Sequence, residues 1–412
     1  MKKQWILACV VACAIAVATI PGVGARGAHG NNTQWVGTWA SSPQLGDAGN
    51  AAPAPGLADS TLRQIVHVSI GGAQIRVRFS NAFGTTPLVI SSAHVALSAG
   101  GGAIKPESDK ALAFAGQASV AIPAGALVYS DPLDFALAPL SDLAVTMHLT
   151  GGPIGITTHP GSRETSYLVA GDSVSAADLS KAVQTEHWYF LNGVDVLSKA
   201  SAASVVAFGD SITDGHGTTT NGNTRWPDDL AKRLAANKAT ANIAVLNEGI
   251  GGNRLVHDMT GPNALARFDR DVLAQDGVRW IIVLEGINDI GTAPSAAKRN
   301  EQPATAQDLI AAYQQIILRA HAHNIRVFGA TIVPFEGAFY FSKDGETERE
   351  AVNTWIRSSG QFDAVIDFDA AVRDPKNPRH LLAAADSGDH LHPGNAGYQA
   401  MADAIDLTLF GK

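Results

Sequence analysis

The spacing of apolar positions divides the chain into two unlike parts. From about Gln34 to Leu197 the period is two, as expected of half-buried strands. Val66, Val68 and Ile70 alternate with His67 and Ser69; after Gly71-Gly72, Ile75, Val77 and Phe79 alternate with Arg76, Arg78 and Ser80, which predicts a hairpin. Leu143, Val145, Met147 and Leu149 repeat the alternation against Thr146, His148 and Thr150, and Gly100-Gly101-Gly102 and Gly151-Gly152-Pro153 punctuate the runs. No amphipathic helical period of any length interrupts them. The pattern predicts an antiparallel β-sandwich, jelly-roll-like, over 34–197.

After the small-residue stretch at 198–203 the period changes. Apolar strand candidates at Ser204–Phe208, Ile243–Leu246, Trp280–Leu284, Val327–Thr331 and Ala364–Phe368 alternate with helical patterns at Trp226–Ala236, Asn263–Ala274, Thr305–His323, Glu346–Ser358 and Asn395–Leu409. Continuous apolar strands joined by helices predict a parallel sheet covered on both faces, a three-layer α/β/α domain over 204–412. In such sheets ligands bind beyond the carboxyl ends of the strands.

The N-terminus follows neither pattern. Lys2 and Lys3 precede an apolar run from Trp5 to Ile20, then Pro21-Gly22 and the small-residue motif Val23-Gly24-Ala25. This predicts a secretory signal peptide over 1–25 with a flexible stretch over 26–33; the run is short of the roughly 20 residues of a membrane span. Val10-Val11-Ala12-Cys13 resembles a lipoprotein signal, but the apolar run continues past Cys13. Removing 25 of the 412 residues leaves 387, moves the formal charge from -8 to -10, and takes away both cysteines, Cys9 and Cys13. The mature chain is then without disulfides and held by burial alone. Charged residues make up only 17% of the chain and no basic block tracks a phosphate backbone, so nucleic acid is excluded as a partner class.

The polar clusters fall at the carboxyl ends of the predicted strands. Gly209-Asp210-Ser211-Ile212-Thr213-Asp214-Gly215 follows the first, Asn247-Glu248-Gly249-Ile250-Gly251-Gly252-Asn253 the second, and Glu285-Gly286-Ile287-Asn288-Asp289 the third; Asp389-His390-Leu391-His392-Pro393 opens the last helix. A serine hydroxyl becomes nucleophilic when an imidazole takes its proton, and the imidazole needs a carboxylate to fix its tautomer. Asp389 and His392, three apart, can share one side of a turn and serve as orienting partner and base for Ser211. Backbone N–H groups of Ser211 and Gly252 and the amide of Asn288 can donate to an oxyanion.

In order and context these residues resemble the SGNH hydrolases, also called GDSL esterases. Gly209-Asp210-Ser211 resembles the first block, Asn247 to Gly252 the second, Gly286-Ile287-Asn288-Asp289 the third and Asp389-His390-Leu391-His392 the last, with Ile212 where the name-giving Leu stands. The resemblance covers the chain from about residue 203 onward and places the family's oxyanion glycine on Gly252. It implies a serine carboxylic-ester hydrolase without cofactor. The export signal and second domain resemble secreted carbohydrate esterases of the family, which implies acetylated carbohydrate as substrate, with lipid esterase or lysophospholipase second; a carbohydrate-binding protein without catalysis is the alternative from another class.

Competing readings attach to several residues. Gly171-Asp172-Ser173 repeats the serine tripeptide, but in the β-region with no helix after it. Asp289 reads as a structural cap. Asp386, Asp389, His390 and His392 are also adequate metal-ligand types, a reading that leaves Ser211 and Gly252 unexplained. His321 and His323 read as structural residues at a helix C-terminus, and His257 as a solvated loop residue or a pocket wall. Trp35, Trp39 and His187-Trp188-Tyr189-Phe190 read as packing in the sandwich rather than a sugar platform.

Overall fold

The computed structural model of the protein describes residues 32–411. The signal-peptide reading, its cleavage after Ala25 and both cysteines lie outside these residues.

Two antiparallel sheets pack face to face in the first part. One has the order Thr33–Ala40, Leu191–Lys199, Gly72–Ser80, Leu133–Leu137; the other runs Val183–Thr185, Ser166–Ala170, Ser60–His67, Asp142–Leu149, Leu88–Gly100, Ala103–Ile104. Val36, Ile75, Val77, Phe79 and Val194 from the first meet Leu62, Val66, Val145 and Met147 from the second in one apolar core. The alternation thus records which side chains face this core; in Ser60–His67 and Asp142–Leu149 the polar positions between them are buried as well, on the other face of the sheet.

The hairpin expected at Gly71-Gly72 does not form. Ser60–His67 pairs with Ser166–Ala170 and Asp142–Leu149, whereas Gly72–Ser80 pairs with Leu191–Lys199 and Leu133–Leu137. The segment between them is an arch from one sheet to the other: the N–H of Val68 still donates to Ser141, but that of Ser69 donates to Thr38 of the opposite sheet. Val68 and Ile70 are buried in the crossing. Alternation records which way a side chain faces, and both runs face the same core, so it cannot distinguish a hairpin from an arch.

The polar face of the Gly72–Ser80 strand is covered rather than solvated. Arg78 and Asp195, 2% and 0% exposed, lie 3.5 Å apart, and Arg78 Nη2 donates to Gln275 at 2.6 Å. Arg76 bonds both Asp195 and Asp276. Gln275 and Asp276 belong to the second part of the chain, and Gly37 N–H also donates to Asp276 there. A polar sheet face therefore makes the junction between the two parts.

The second part is a five-stranded parallel sheet in the order Ile243–Gly249, Ala203–Gly209, Val278–Leu284, Arg326–Ala330, Ala364–Ile366. Its strands are apolar and, apart from the edge strand Ala364–Ile366, largely buried, as helices on both faces require. Helices form at all five expected places, with local changes: the last ends at Asp403 rather than Leu409, and a separate 3-10 turn follows at Leu407–Phe410. Ser342 accepts the N–H of Gly345 and starts the Lys343–Ser358 helix earlier than periodicity shows. The pattern at 263–274 divides into an α-helix at Ala264–Phe268 and a π-helical turn at Asp269–Leu273. Short helices at Ser211–Asp214, Ile287–Thr292 and Phe368–Val372 are additional. Among the described residues no helix is long and apolar enough to cross a membrane.

Candidate active site

The order of the parallel sheet reverses direction beside Ala203–Gly209, and the crevice beyond that strand is where a doubly wound sheet binds ligands. Ser211 stands there, at the head of the Ser211–Asp214 helix. The Asp210 carboxylate accepts the N–H of Ile212 at 2.9 Å and fixes the turn. Ser211 is 7% exposed.

His392 comes from the loop ahead of the Asn395–Asp403 helix. Its Nε2 lies 2.8 Å from Ser211 Oγ, and its Nδ1 lies 2.6 Å from Asp389 Oδ2. Asp389 Oδ1 accepts the backbone N–H of Leu391 at 3.0 Å and of His392 at 2.8 Å. One oxygen thus shapes the turn while the other orients the ring. Burial alone would push the Asp389 acid upward, but its bonds from the His392 ring and backbone outweigh that and hold it at about 2. An ionised Asp389 fixes the proton on Nδ1 and leaves the Nε2 lone pair to accept the Ser211 hydroxyl. Burial lowers the pKa of His392, and His216 and Arg163 lower it further against the opposing pull of Asp389, so the ring is a neutral acceptor at neutral pH.

His390 turns away with φ of +61°, and its Nδ1 lies 2.7 Å from Asp386 Oδ2. The four residues of the metal reading therefore separate into two Asp–His pairs. His216, Asp389 and His392 bring ligand atoms within 4.8 Å of one another, but both ring nitrogens of His392 are already engaged by Asp389 and Ser211.

Gly252 occupies the loop after Ile243–Gly249 with φ of +74°, and a Cβ there would meet Thr260 Oγ1 at 2.9 Å. Position 252 therefore favours glycine on both conformational and steric grounds. The loop is tied to the site by Ile250 N–H donating to Gly209 O at 3.0 Å. Asn288 is buried at the first turn of Ile287–Thr292; its Nδ2 donates to Asn253 O at 2.8 Å, and its Oδ1 accepts from the Tyr340 hydroxyl at 3.2 Å. These two bonds fix which end of the amide is nitrogen and leave one N–H to donate elsewhere. Asp289 accepts the N–H groups of Leu255 and Val256 at 2.6 and 3.1 Å, so its carboxylate holds the same loop.

Several residues that hold this arrangement carried no sequence signal. Arg267, fully buried, donates to Gly209 O, Glu248 O, Asn253 Oδ1 and Glu285, and so ties together the ends of three strands; Ser42 of the β-sandwich completes its shell. In sequence it is an ordinary cation on a helix. Asn253, Tyr340, His216 and Arg163 were likewise unmarked, although Asn253 directly follows the Asn247–Gly252 block.

The remaining candidates lie elsewhere. Ser173 follows the Ser166–Ala170 strand, with its N–H donating to Thr61. His321 Nε2 lies 2.8 Å from Asp363, and His323 Nδ1 lies 3.0 Å from Arg319 O. His257 lines a cavity of about 420 Å³ with Val256, Leu265, Gln302 and Asp308. Trp39 and Trp188 are buried edge to face at 4.8 Å, Tyr189 and Phe190 are buried too, and Trp35 lies under Arg76.

Residues 205–405 match the family described as GDSL-like Lipase/Acylhydrolase. A comparison with curated proteins found no match. Among solved structures, a catalytic mutant of an acetylxylan esterase from Geobacillus stearothermophilus is 21% identical, with TM-score 0.40, over 52% of this chain and 96% of that one. A GDSL-like lipase from Bacteroides thetaiotaomicron is 19% identical, with TM-score 0.37, over 50% of this chain and 87% of its own. An alpha/beta hydrolase from the metagenome of Lake Arreo is 20% identical, with TM-score 0.38, over 49% and 94%.

Proposed function

Given that the chain belongs through residues 205–405 to the GDSL-like lipase/acylhydrolase family and is a carboxylic ester hydrolase, we propose that it works through an acyl-enzyme formed on Ser211. The observation that carries this reading is the unbroken line Ser211 Oγ, His392 Nε2, His392 Nδ1, Asp389 Oδ2, with steps of 2.8 and 2.6 Å. His392 takes the Ser211 proton as Oγ attacks the ester carbonyl, and returns it to the departing alkoxide. A water activated by the same base then releases the acid. The Ser211 and Gly252 N–H groups and the free N–H of Asn288 stabilise the oxyanion. Complete nucleophile, base and orienting carboxylate speak against a purely binding role.

For the substrate we propose a short acyl ester, such as acetyl, on a carbohydrate. The support is one aromatic ring at the rim. Phe339 is 87% exposed on the loop before Lys343–Ser358, and its ring centroid lies 4.3 Å from that of Tyr340, the residue that bonds Asn288. The same loop reaches the other side of the site, where Gly337, with φ of +103°, is so close to the His390 ring that a Cβ would stand 2.9 Å from it. An exposed aromatic held between these two anchors offers a face to a sugar ring. We further propose that the protein is exported, on the strength of the Lys2–Ala25 pattern.

Incubation with a fluorophosphonate, followed by intact mass measurement, tests the chemistry: the account expects one adduct, on Ser211. A panel of acyl esters graded by chain length beside acetylated xylan tests the substrate class. Preference for acetyl over long chains, with a raised KM for the polymer in Phe339→Ala, supports the carbohydrate reading; preference for long acyl chains would turn it to lipid.

A further inference from the structure

Arg163 reaches the base from outside the α/β part of the chain. It lies on the loop between Thr157–Pro160 and Ser166–Ala170 of the β-region, with φ of +55°. That loop is latched to the segment after the Ser211 helix. Arg163 O accepts the N–H of Asn221 at 2.9 Å, Thr165 and Asn221 exchange two further bonds, and Arg225 donates to Ser162 O. So fixed, Arg163 Nη2 donates to His216 Nδ1 at 3.0 Å, while its Nε is buried without a partner. The side-chain contact of this guanidinium is therefore with the His216 ring and not with a carboxylate.

His216 in turn packs on the base. Its ring centroid lies 4.2 Å from that of His392, with the planes at 48°, and its Nε2 is 4.0 Å from Asp389 Oδ2. Tyr398 pins its backbone, donating to His216 O at 2.7 Å. Because Nδ1 accepts an N–H from Arg163, the ring carries its proton on Nε2, on the side of Asp389. A second proton on Nδ1 would set a cation against the guanidinium.

We propose that Arg163 and His216 form a positioning pair, supplied across the junction between the β-sandwich and the α/β domain, that keeps the imidazole beside His392 neutral, so that His392 rests unprotonated with Nε2 facing Ser211 and meets no second imidazolium when it takes the Ser211 proton. The inference rests on the reading of His392 as the base. In the reaction His392 becomes an imidazolium, and two imidazolium rings in contact repel. The charged and titratable groups that face this pair of rings are Asp389, Arg163 and Asp214, with Tyr398 against the His216 backbone. Burial and then Arg163 hold His216 below its ordinary pKa, so geometry and charge act in the same direction.

The test is the pH dependence of kcat/KM in the full-length chain carrying R163M, R163K, H216F or R163M with H216F, each checked for folding by circular dichroism. Removing the charge lets His392 and His216 protonate more easily, so R163M moves the acid limb upward by about half a pH unit or more. R163K, which keeps the charge at similar volume, holds the limb near the wild-type position, and R163M shifts it less when added to H216F than when added to wild type. A limb that stays put in folded R163M overturns the proposal, as does an equal shift in R163K. Activity retained in Ser211→Ala would instead bring down the reading beneath it, so the two failures are distinguishable.

Discussion

At the residue scale, two histidines two positions apart are assigned opposite fates by their partners. His392 bonds Ser211 and Asp389, whereas His390 bonds Asp386 and turns away. His390→Ala should therefore leave kcat within a few fold of wild type, while Asp389→Asn, which keeps the bulk but loses the charge that fixes the tautomer, should lower kcat by roughly 10² or more with KM little changed. Steady-state kinetics on a soluble acetyl ester checks both, and a larger loss in His390→Ala than in Asp389→Asn would contradict the geometry. His392, the base we propose, also titrates. Because its folded pKa lies below the ordinary imidazole value, the neutral form persists to lower pH, and the acid limb of kcat/KM should fall below about 6.5. A limb centred clearly above that value would show that burial does not govern His392.

At the scale of elements, the loop after Ile243–Gly249 carries Gly252 and is tied to the end of the neighbouring strand through Ile250 N–H and Gly209 O. Gly252→Ala forces a side chain into the left-handed region and toward Thr260 at 2.9 Å, so the loop must shift. A displacement that re-aims one oxyanion donor should lower kcat/KM by about tenfold or more, with the rest of the fold intact by circular dichroism; an unchanged rate would remove Gly252 from the site. The parallel strands and their helices were legible because each buries a continuous apolar run or one apolar stripe. The strand Gly72–Ser80 was legible as a strand but not as a partner, since Ile75, Val77 and Phe79 would alternate alike in a hairpin and in an arch between sheets. The serine, histidine and aspartate blocks were legible because short spacing and strand ends brought them together. Arg163, His216 and Arg267 were not, because the contacts that give them meaning span the junction or reach several strand ends at once.

At the scale of the molecule, that junction buries charge. Glu248 lies at the end of its strand, with Ser42 of the sandwich donating to Oε2 at 2.6 Å and Gln275 to Oε1 at 2.7 Å. Burial, reinforced by Asp271, raises its acid to about 8, from an ordinary glutamate value of 4.5. Between those values the folded chain holds a proton that the unfolded chain has lost, so stability falls as pH rises from about 4.5 toward 8. Glu248→Gln should flatten the decline of Tm across that window, as thermal melts at several pH values would show; an unchanged slope would mean that Glu248 ionises freely in the fold.

We propose that ester hydrolysis runs through Ser211 and not through Ser173, which repeats its tripeptide. The most direct measurement is kcat/KM on an acetyl ester for wild type, Ser211→Ala and Ser173→Ala, with each protein shown to be folded. Removing the nucleophile should cost at least about 10³-fold, while Ser173→Ala stays within about twofold. Full activity in Ser211→Ala, or its loss in Ser173→Ala, would contradict the account.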